Sequence, residues 1–293
     1  MKNFLKILPL ILIISCSQKH EQNLSPSFIE DDLGNKFTSD TIPQRIITLA
    51  PNLTEIVYEL GLEKKLVGNT LYCNFPAEAK GIEKVGDMLT FNYEKILTLK
   101  PDLIFITIEG NTKETYDKFR ELGLKIFVSN PRNYEGIKKT VTDFGKIFGI
   151  EPLTKEKISS WDSTIANIKS TSKNENQKTA MFVVELRPLM LAGKNTFLNE
   201  FLMFNGLKNI TEDSPVNYPL FSREEILKRD PDYIIIPTDN GEKTRVEQVC
   251  PEWNNLKAVK NNNIIFVDRD LYSRPGTRFI EAVKDLYSKI HHR

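Results

Sequence analysis

Histidine is almost missing from this chain. Of 293 residues three are histidine, His20 near the start and His291 and His292 at the end, so none falls in the patterned middle. A receptor for zinc or manganese ions needs imidazole ligands, and an enzyme relying on a histidine base needs one in its core; neither has the residue available. Phosphate-cradling glycine loops and the Gly-x-Ser-x-Gly elbow are also missing. Paired acids such as Glu224 and Glu225 are adjacent on a helical pattern and so point in different directions. These absences leave no catalytic constellation and no metal-ligand set. Charge of one sign is lacking too: 40 basic residues face 39 acidic ones. A nucleic-acid partner usually demands a basic stripe, and none is present.

Long apolar runs are equally scarce. The clearest, Ile7 to Ile14, lies between basic residues Lys2 and Lys6 and a small-residue boundary; it is too short to span a bilayer and suits the core of a signal peptide. It ends in Ile13-Ile14-Ser15-Cys16, which resembles the lipobox of bacterial lipoproteins, where the cysteine is lipidated and becomes the new N-terminus. An ordinary secretory signal with an incidental cysteine remains the alternative. Residues 1–15 thus read as the signal peptide and 16–27, polar and without period, as a flexible tether. Loss of residues 1–15 removes Lys2 and Lys6 and no acid, leaving 38 basic and 39 acidic residues. Only Cys73 and Cys250 then remain, and in an oxidising compartment both a bridge and two free thiols are open.

What the chain does have is an internal repeat. Phe91 to Ile106 and Phe221 to Ile236 align without gaps at eight of sixteen positions, among them Glu94 with Glu224, Pro101 with Pro231 and Asp102 with Asp232. Leu53 to Leu62 likewise echoes Leu198 to Leu207, with Glu55 matching Glu200 and Gly61 matching Gly206. Two similar lobes follow, with a cleft between them as the natural place for a small ligand.

Short apolar runs alternate with helical patterns along both lobes. Residues 28–38 predict a hairpin; 45–49, 66–68, 103–106 and 125–128 predict strands; 52–60 (with Asn52 as N-cap), 93–99, 113–122 and 134–148 predict helices. In the second half, strands are expected at 179–185, 233–237 and 264–267, and helices at 197–204, 224–229 and 277–290. Ile158, Trp161, Ile165 and Ile168 lie at helical spacing in residues 153–169. The expected fold class is α/β: two similar Rossmann-like lobes with mostly parallel sheets, joined by a single long helix, the ligand cleft between them. The N-terminal lobe covers 28–150, the linking helix 151–174 and the C-terminal lobe 175–293.

At this resolution the chain resembles the substrate-binding proteins of ABC importers with a helical backbone, closest to the cobalamin-binding branch. The matching phrases are 45–55 (RIITLAPNLTE), 72–76 (YCNFP), 92–102 (NYEKILTLKPD), 222–227 (SREEIL) and 273–276 (SRPG). The resemblance implies a monomeric, lipid-anchored extracytoplasmic protein that does no chemistry, needs no catalytic cofactor and binds no nucleic acid. It would capture cobalamin or a related corrinoid and deliver it to a permease dimer with separate ATPase subunits, touching the membrane through its N-terminal lipid only.

The resemblance also assigns roles. Glu94 and Glu224 would dock onto arginines of the two-fold permease, although both also follow the N-caps Asn92 and Ser222, where the helix dipole favours a carboxylate anyway. Tyr72, Met88, Tyr218, Asp270 and Arg274 would face the ligand, Asp270 and Arg274 from a loop after the last strand; a purely local ion pair between those two is the alternative. Met88 and Thr107 depart from the branch, which carries aromatic rings there. A ferric siderophore or haem is the second ligand class. Cleft arginines would favour it, with Arg132, Arg187, Arg223 and Arg274 as candidates, because such chelates are often anionic.

Overall fold

The computed structural model describes residues 28–291 except 39–40, 109, 174–176 and 240–249. Cys16, His20 and His292, with the signal-peptide and tether segments, lie outside the described residues. The first sheet orders β4 (Leu66–Asn69), β3 (Ile46–Thr48), β5 (Leu103–Ile106) and β6 (Ile126–Val128), all parallel. The second orders β11 (Ile264–Asp268), β10 (Tyr233–Thr238), β7 (Thr179–Leu186) and β8 (Leu189–Leu191), with β9 (Lys208–Asn209) parallel to the start of β7. Within these two sheets, among the described residues, only β8 runs antiparallel. A small hairpin of β1 (Ile29–Glu30) and β2 (Lys36–Phe37) precedes them.

Central strands are apolar on both faces because helices cover both sides. Ile47, Ile104 and Val128 join one cluster with Phe119, while their neighbours Ile46, Phe105 and Phe127 join another. That second cluster does not stop at the lobe boundary. It runs on through α1 (Pro51–Glu59), α4 (Tyr134–Phe148), α5 (Glu151–Thr171) and α6 (Phe197–Phe204) to Phe182, Ile235, Val267 and the closing helix Phe279–His291. Tyr134 stacks on Phe279 with ring centroids 5.6 Å apart, and Phe279 on Phe201 at 4.7 Å. Helix α5 carries the chain from one sheet to the other; its 21 residues span about 30 Å, and Trp161, Ile165 and Ile168 bury one stripe of it.

The two copies of the repeat fold alike in detail. Helices α2 (Tyr93–Thr98) and α7 (Arg223–Arg229) are capped by the side chains of Asn92 and Ser222, each accepting from the third helical N–H. Lys100 and Asp230, each before the repeat's proline, both take left-handed backbone conformations, with φ of 47° and 39°. The Asp102 carboxylate then accepts from the Gln44 and Arg45 N–H groups at the entry to β3, and that of Asp232 from the Thr179 N–H at the entry to β7. Pro-Asp in each copy thus pins the start of one central strand to its neighbour. Cys73 and Cys250 are separate buried thiols, and Cys73 Sγ sits 3.0 Å from the Thr54 hydroxyl.

One boundary differs from expectation at the cleft. Helix α1 begins at Pro51 with Ala50 as N-cap and no side-chain cap, because proline's fixed φ starts the helix one residue early. Asn52 is therefore free of capping and donates instead to the Pro275 carbonyl across the cleft, at 3.0 Å.

Candidate functional site

The C-terminal ends of both sheets point at one another, where ligands of open α/β sheets collect. A cavity of about 260 Å³ opens there. Its first-lobe wall comes from the segments leaving β3 (Pro51, Asn52), β4 (Tyr72) and β5 (Thr107), with Met88 from the loop before α2. Asp270, Ser273 and Arg274 form the opposite wall. A neighbouring hollow of about 210 Å³ shares Ser273 and is lined by Phe182, Val184, Tyr218 and Tyr272. Of the sequence-derived contacts, Tyr72, Met88, Asp270 and Arg274 therefore meet in one cavity, and Tyr218 lies in the adjoining one.

Tyr72 is 56% exposed, so its ring stands free at the mouth. Met88 lies against Gly110 so closely that a Cβ there would fall 2.2 Å from its terminal methyl. Tyr272 offers only its ring: the hydroxyl donates to the Ala282 carbonyl and the Asp285 carboxylate, both at 2.9 Å, and burial pushes the phenol far above its ordinary range.

Arg274 departs from expectation. Asp270 belongs to a short helix, Arg269–Ser273, not a loop, because the Asp268 side chain caps it by accepting from the Leu271 N–H at 2.7 Å. One turn later Arg274 is only 9% exposed, and its guanidinium is consumed by the protein. Nη1 donates to Glu55 Oε1 and to Asn74 Oδ1, both at 2.8 Å; Nη2 reaches Asp270 Oδ2 at 2.8 Å and the Tyr72 carbonyl at 3.4 Å. Asn74 in turn donates to Asp270 at 2.8 Å. The expected local pair of Asp270 and Arg274 exists, but it is part of a network joining the lobes. Arg278 lies 3.8 Å from Glu55, pairs with Glu281 at 3.0 Å and covers the Phe75 ring.

Glu55 is the residue that sequence reading missed, although the repeat marked it. Its carboxylate lies beneath the cleft floor; desolvation pushes its pKa up, opposed by Arg274 and Arg278. Of the other arginines, Arg223 pairs with Glu252 at 3.1 Å, and Arg132, Arg187 and Arg223 line neither cavity. Arg269 lines the second hollow, paired with Asp239 at 2.8 Å.

Glu94 and Glu224 are both exposed at the second position of their helices, away from the cavities. Hydrogen bonds at the start of its helix hold the Glu224 carboxyl below its usual range.

The sequence profile of the family described as "Periplasmic binding protein" matches residues 46–271. A Bacillus subtilis (strain 168) protein, described as an uncharacterized ABC transporter substrate-binding lipoprotein, YvrC, is 32% identical over 281 residues, covering 93% of this chain and 88% of its own. Among solved structures, the periplasmic vitamin B12 binding protein BtuF of Vibrio cholerae superposes with a TM-score of 0.72 at 28% identity, over 85% of this chain and 97% of that one. A protein of Staphylococcus epidermidis ATCC 12228, described as a possible iron-binding periplasmic solute-binding protein, gives 0.76 at 28% identity, over 86% and 100%.

Proposed function

Because the chain belongs to the periplasmic binding protein family, we propose that it captures cobalamin or a related corrinoid in its cleft outside the cytoplasm and hands it to an ABC import permease. The observation that carries this reading is the chemistry of the cleft. Tyr72, Met88, Tyr218 and the Tyr272 ring offer broad apolar faces suited to a flat macrocycle. The polar groups beside them are hydroxyls, amides and carboxylates, and among the described residues each cleft arginine is already matched: Arg274 by Glu55 and Asp270, Arg269 by Asp239. Such a surface suits a ligand that is large and fringed with neutral amides. It offers little to a polyanionic chelate.

On this reading Tyr72, Met88 and Tyr218 contact the ring system and Asp270 reads an amide, while Arg274 positions Asp270 and Asn74. Glu94 and Glu224, exposed on matching helices of two similar lobes, dock onto cationic groups of the two-fold permease. Lipidation of Cys16 holds the protein at the membrane; a Cys16→Ser chain recovered still membrane-bound would refute that part. A ferric siderophore or haem is the second reading, favoured by one feature, the exposed Tyr72 phenol, since tyrosine can ligate ferric iron.

Isothermal titration of residues 17–293 tests the ligand. Saturable one-to-one binding of cyanocobalamin, weakened by Tyr72→Ala, supports the corrinoid. No heat with cyanocobalamin and tight binding of haem or a ferric siderophore moves the protein to the second reading.

A further inference from the structure

Glu55 is buried, lies outside the cavity lining and yet controls the charge of a residue that lines it. Its Oε1 meets Arg274 Nη1 at 2.8 Å, while Oε2 is buried with no hydrogen-bond partner. A half-satisfied buried carboxylate costs stability, and burial alone would be served as well by an apolar residue here facing an apolar one at 274. Packing therefore gives no reason for an acid here. Electrostatics gives one: Arg274 touches the cavity, and without Glu55 its remaining anionic partner is Asp270, itself 46% exposed and accessible to ligand. Arg278 would lose Glu55 at the same time, keeping Glu281.

We propose that Glu55 is a specificity-determining positioning residue: from beneath the floor it adds a second carboxylate to the Arg274–Asp270 pair, so that this wall of the cleft carries an excess of negative charge, accepts a neutral, amide-bearing ligand and discriminates against anionic chelates. The inference rests on the corrinoid reading given above and deepens it. Such discrimination works by a repulsive charge set against the unwanted ligand. Asp270 contributes from the solvent side, and Asn74 links it to the arginine with a neutral amide.

The test compares the wild-type protein with Glu55→Gln for binding of a ferric tricatecholate and of cyanocobalamin, at low and high salt. Removal of one negative charge near the ligand is expected to raise affinity for the anionic chelate by about tenfold at low salt, less at high salt, with no gain for cyanocobalamin. Adding Arg274→Met to Glu55→Gln should abolish the gain, because Glu55 acts through the arginine. Asp270→Asn, which alters an accessible carboxylate and leaves the buried pair intact, should give a smaller gain in the same direction and serves where Glu55→Gln does not fold. Unchanged chelate affinity in a folded Glu55→Gln or Asp270→Asn protein, or a gain that survives Arg274→Met, would overturn the inference. The readout is the change in chelate affinity on mutation, so it stands whichever ligand the wild type prefers. Wild-type preference for the chelate over cyanocobalamin would instead overturn the corrinoid reading.

Discussion

Glu55 and Glu200 hold the same place in the two copies of the internal repeat, and each carboxylate leaves its own lobe to bind the other. Glu55, on the first helix of the first lobe, accepts from Arg274 beyond the last strand; Glu200, on the first helix of the second, accepts from the Tyr134 N–H at the start of α4, at 2.6 Å. The two contacts flank an apolar core that is itself continuous between lobes, through Tyr134, Phe201, Phe204 and Phe279. Opening the lobes as rigid bodies would break both carboxylate contacts and expose those rings. Such an opening therefore carries the cost of both contacts and of that apolar surface.

The Glu200 contact makes stability depend on pH in a defined sense. Burial pushes this carboxyl from 4.5 up to about 7, against the lowering effect of the Tyr134 N–H and Lys169, while Glu135 adds to the rise. A folded-state pKa above the unfolded one means the native state holds the proton more tightly. Its stabilisation is full below about pH 4.5 and is lost as pH rises towards 7. The ceiling is about 3 kcal/mol, reduced by solvent reaching this partly exposed group. Glu200→Gln, which keeps an acceptor for Tyr134, should flatten the midpoint of urea unfolding across that range relative to wild type. A pH profile identical to wild type would show that Glu200 does not titrate there.

Gly110 predicts a binding defect with little loss of stability. A Cβ at this position would lie 2.2 Å from the Met88 methyl and 3.1 Å from Thr107 Cγ2. The methionine end is flexible and can move, and the space open to it is the cavity that both residues line. Gly110→Ala should thus lower ligand affinity, by about tenfold for a displacement that costs one well-packed contact, while the thermal midpoint shifts little. Binding unchanged in calorimetry would mean that Met88 moves away from the cleft.

Much of the fold was legible because its signals are local. The strands Ile46–Thr48, Leu103–Ile106 and Tyr233–Thr238 are each built on an apolar run, and Gly61 and Gly206, with φ of 69° and 71°, end matching helices where only glycine turns freely. Strand Leu189–Leu191 escaped notice because three residues after an Arg-Pro turn carry no period of their own; its pairing with β7 creates it. The same limit applied at the site. Tyr72 came from a matching phrase and Met88, Tyr218 and Asp270 from their places in the family pattern, whereas the role of Arg274 depends on Glu55, 219 residues away. No local pattern records such a pair. The Glu55/Glu200 match in the repeat was visible, but only geometry shows that both side chains cross between lobes.

If Glu94 and Glu224 dock the permease as proposed, their substitution separates binding from delivery. Both lie at the exposed start of capped helices, remote from the cavity lining, and each helix keeps its N-cap hydrogen bond whatever residue follows it. Replacing an exposed acid at such a position by lysine costs only a solvent-screened dipole contact, too little to unfold the protein. The double change Glu94→Lys and Glu224→Lys reverses the charge offered to a two-fold partner at both contact points at once. Ligand affinity by titration should stay within about twofold of wild type, since neither residue reaches the cleft. Uptake of the ligand by cells or by proteoliposomes holding the cognate permease should fall to background, and each single change should reduce it partially, as one intact contact leaves half the docking. Wild-type uptake in the double variant would remove these carboxylates from the permease interface and leave helix capping as their whole purpose.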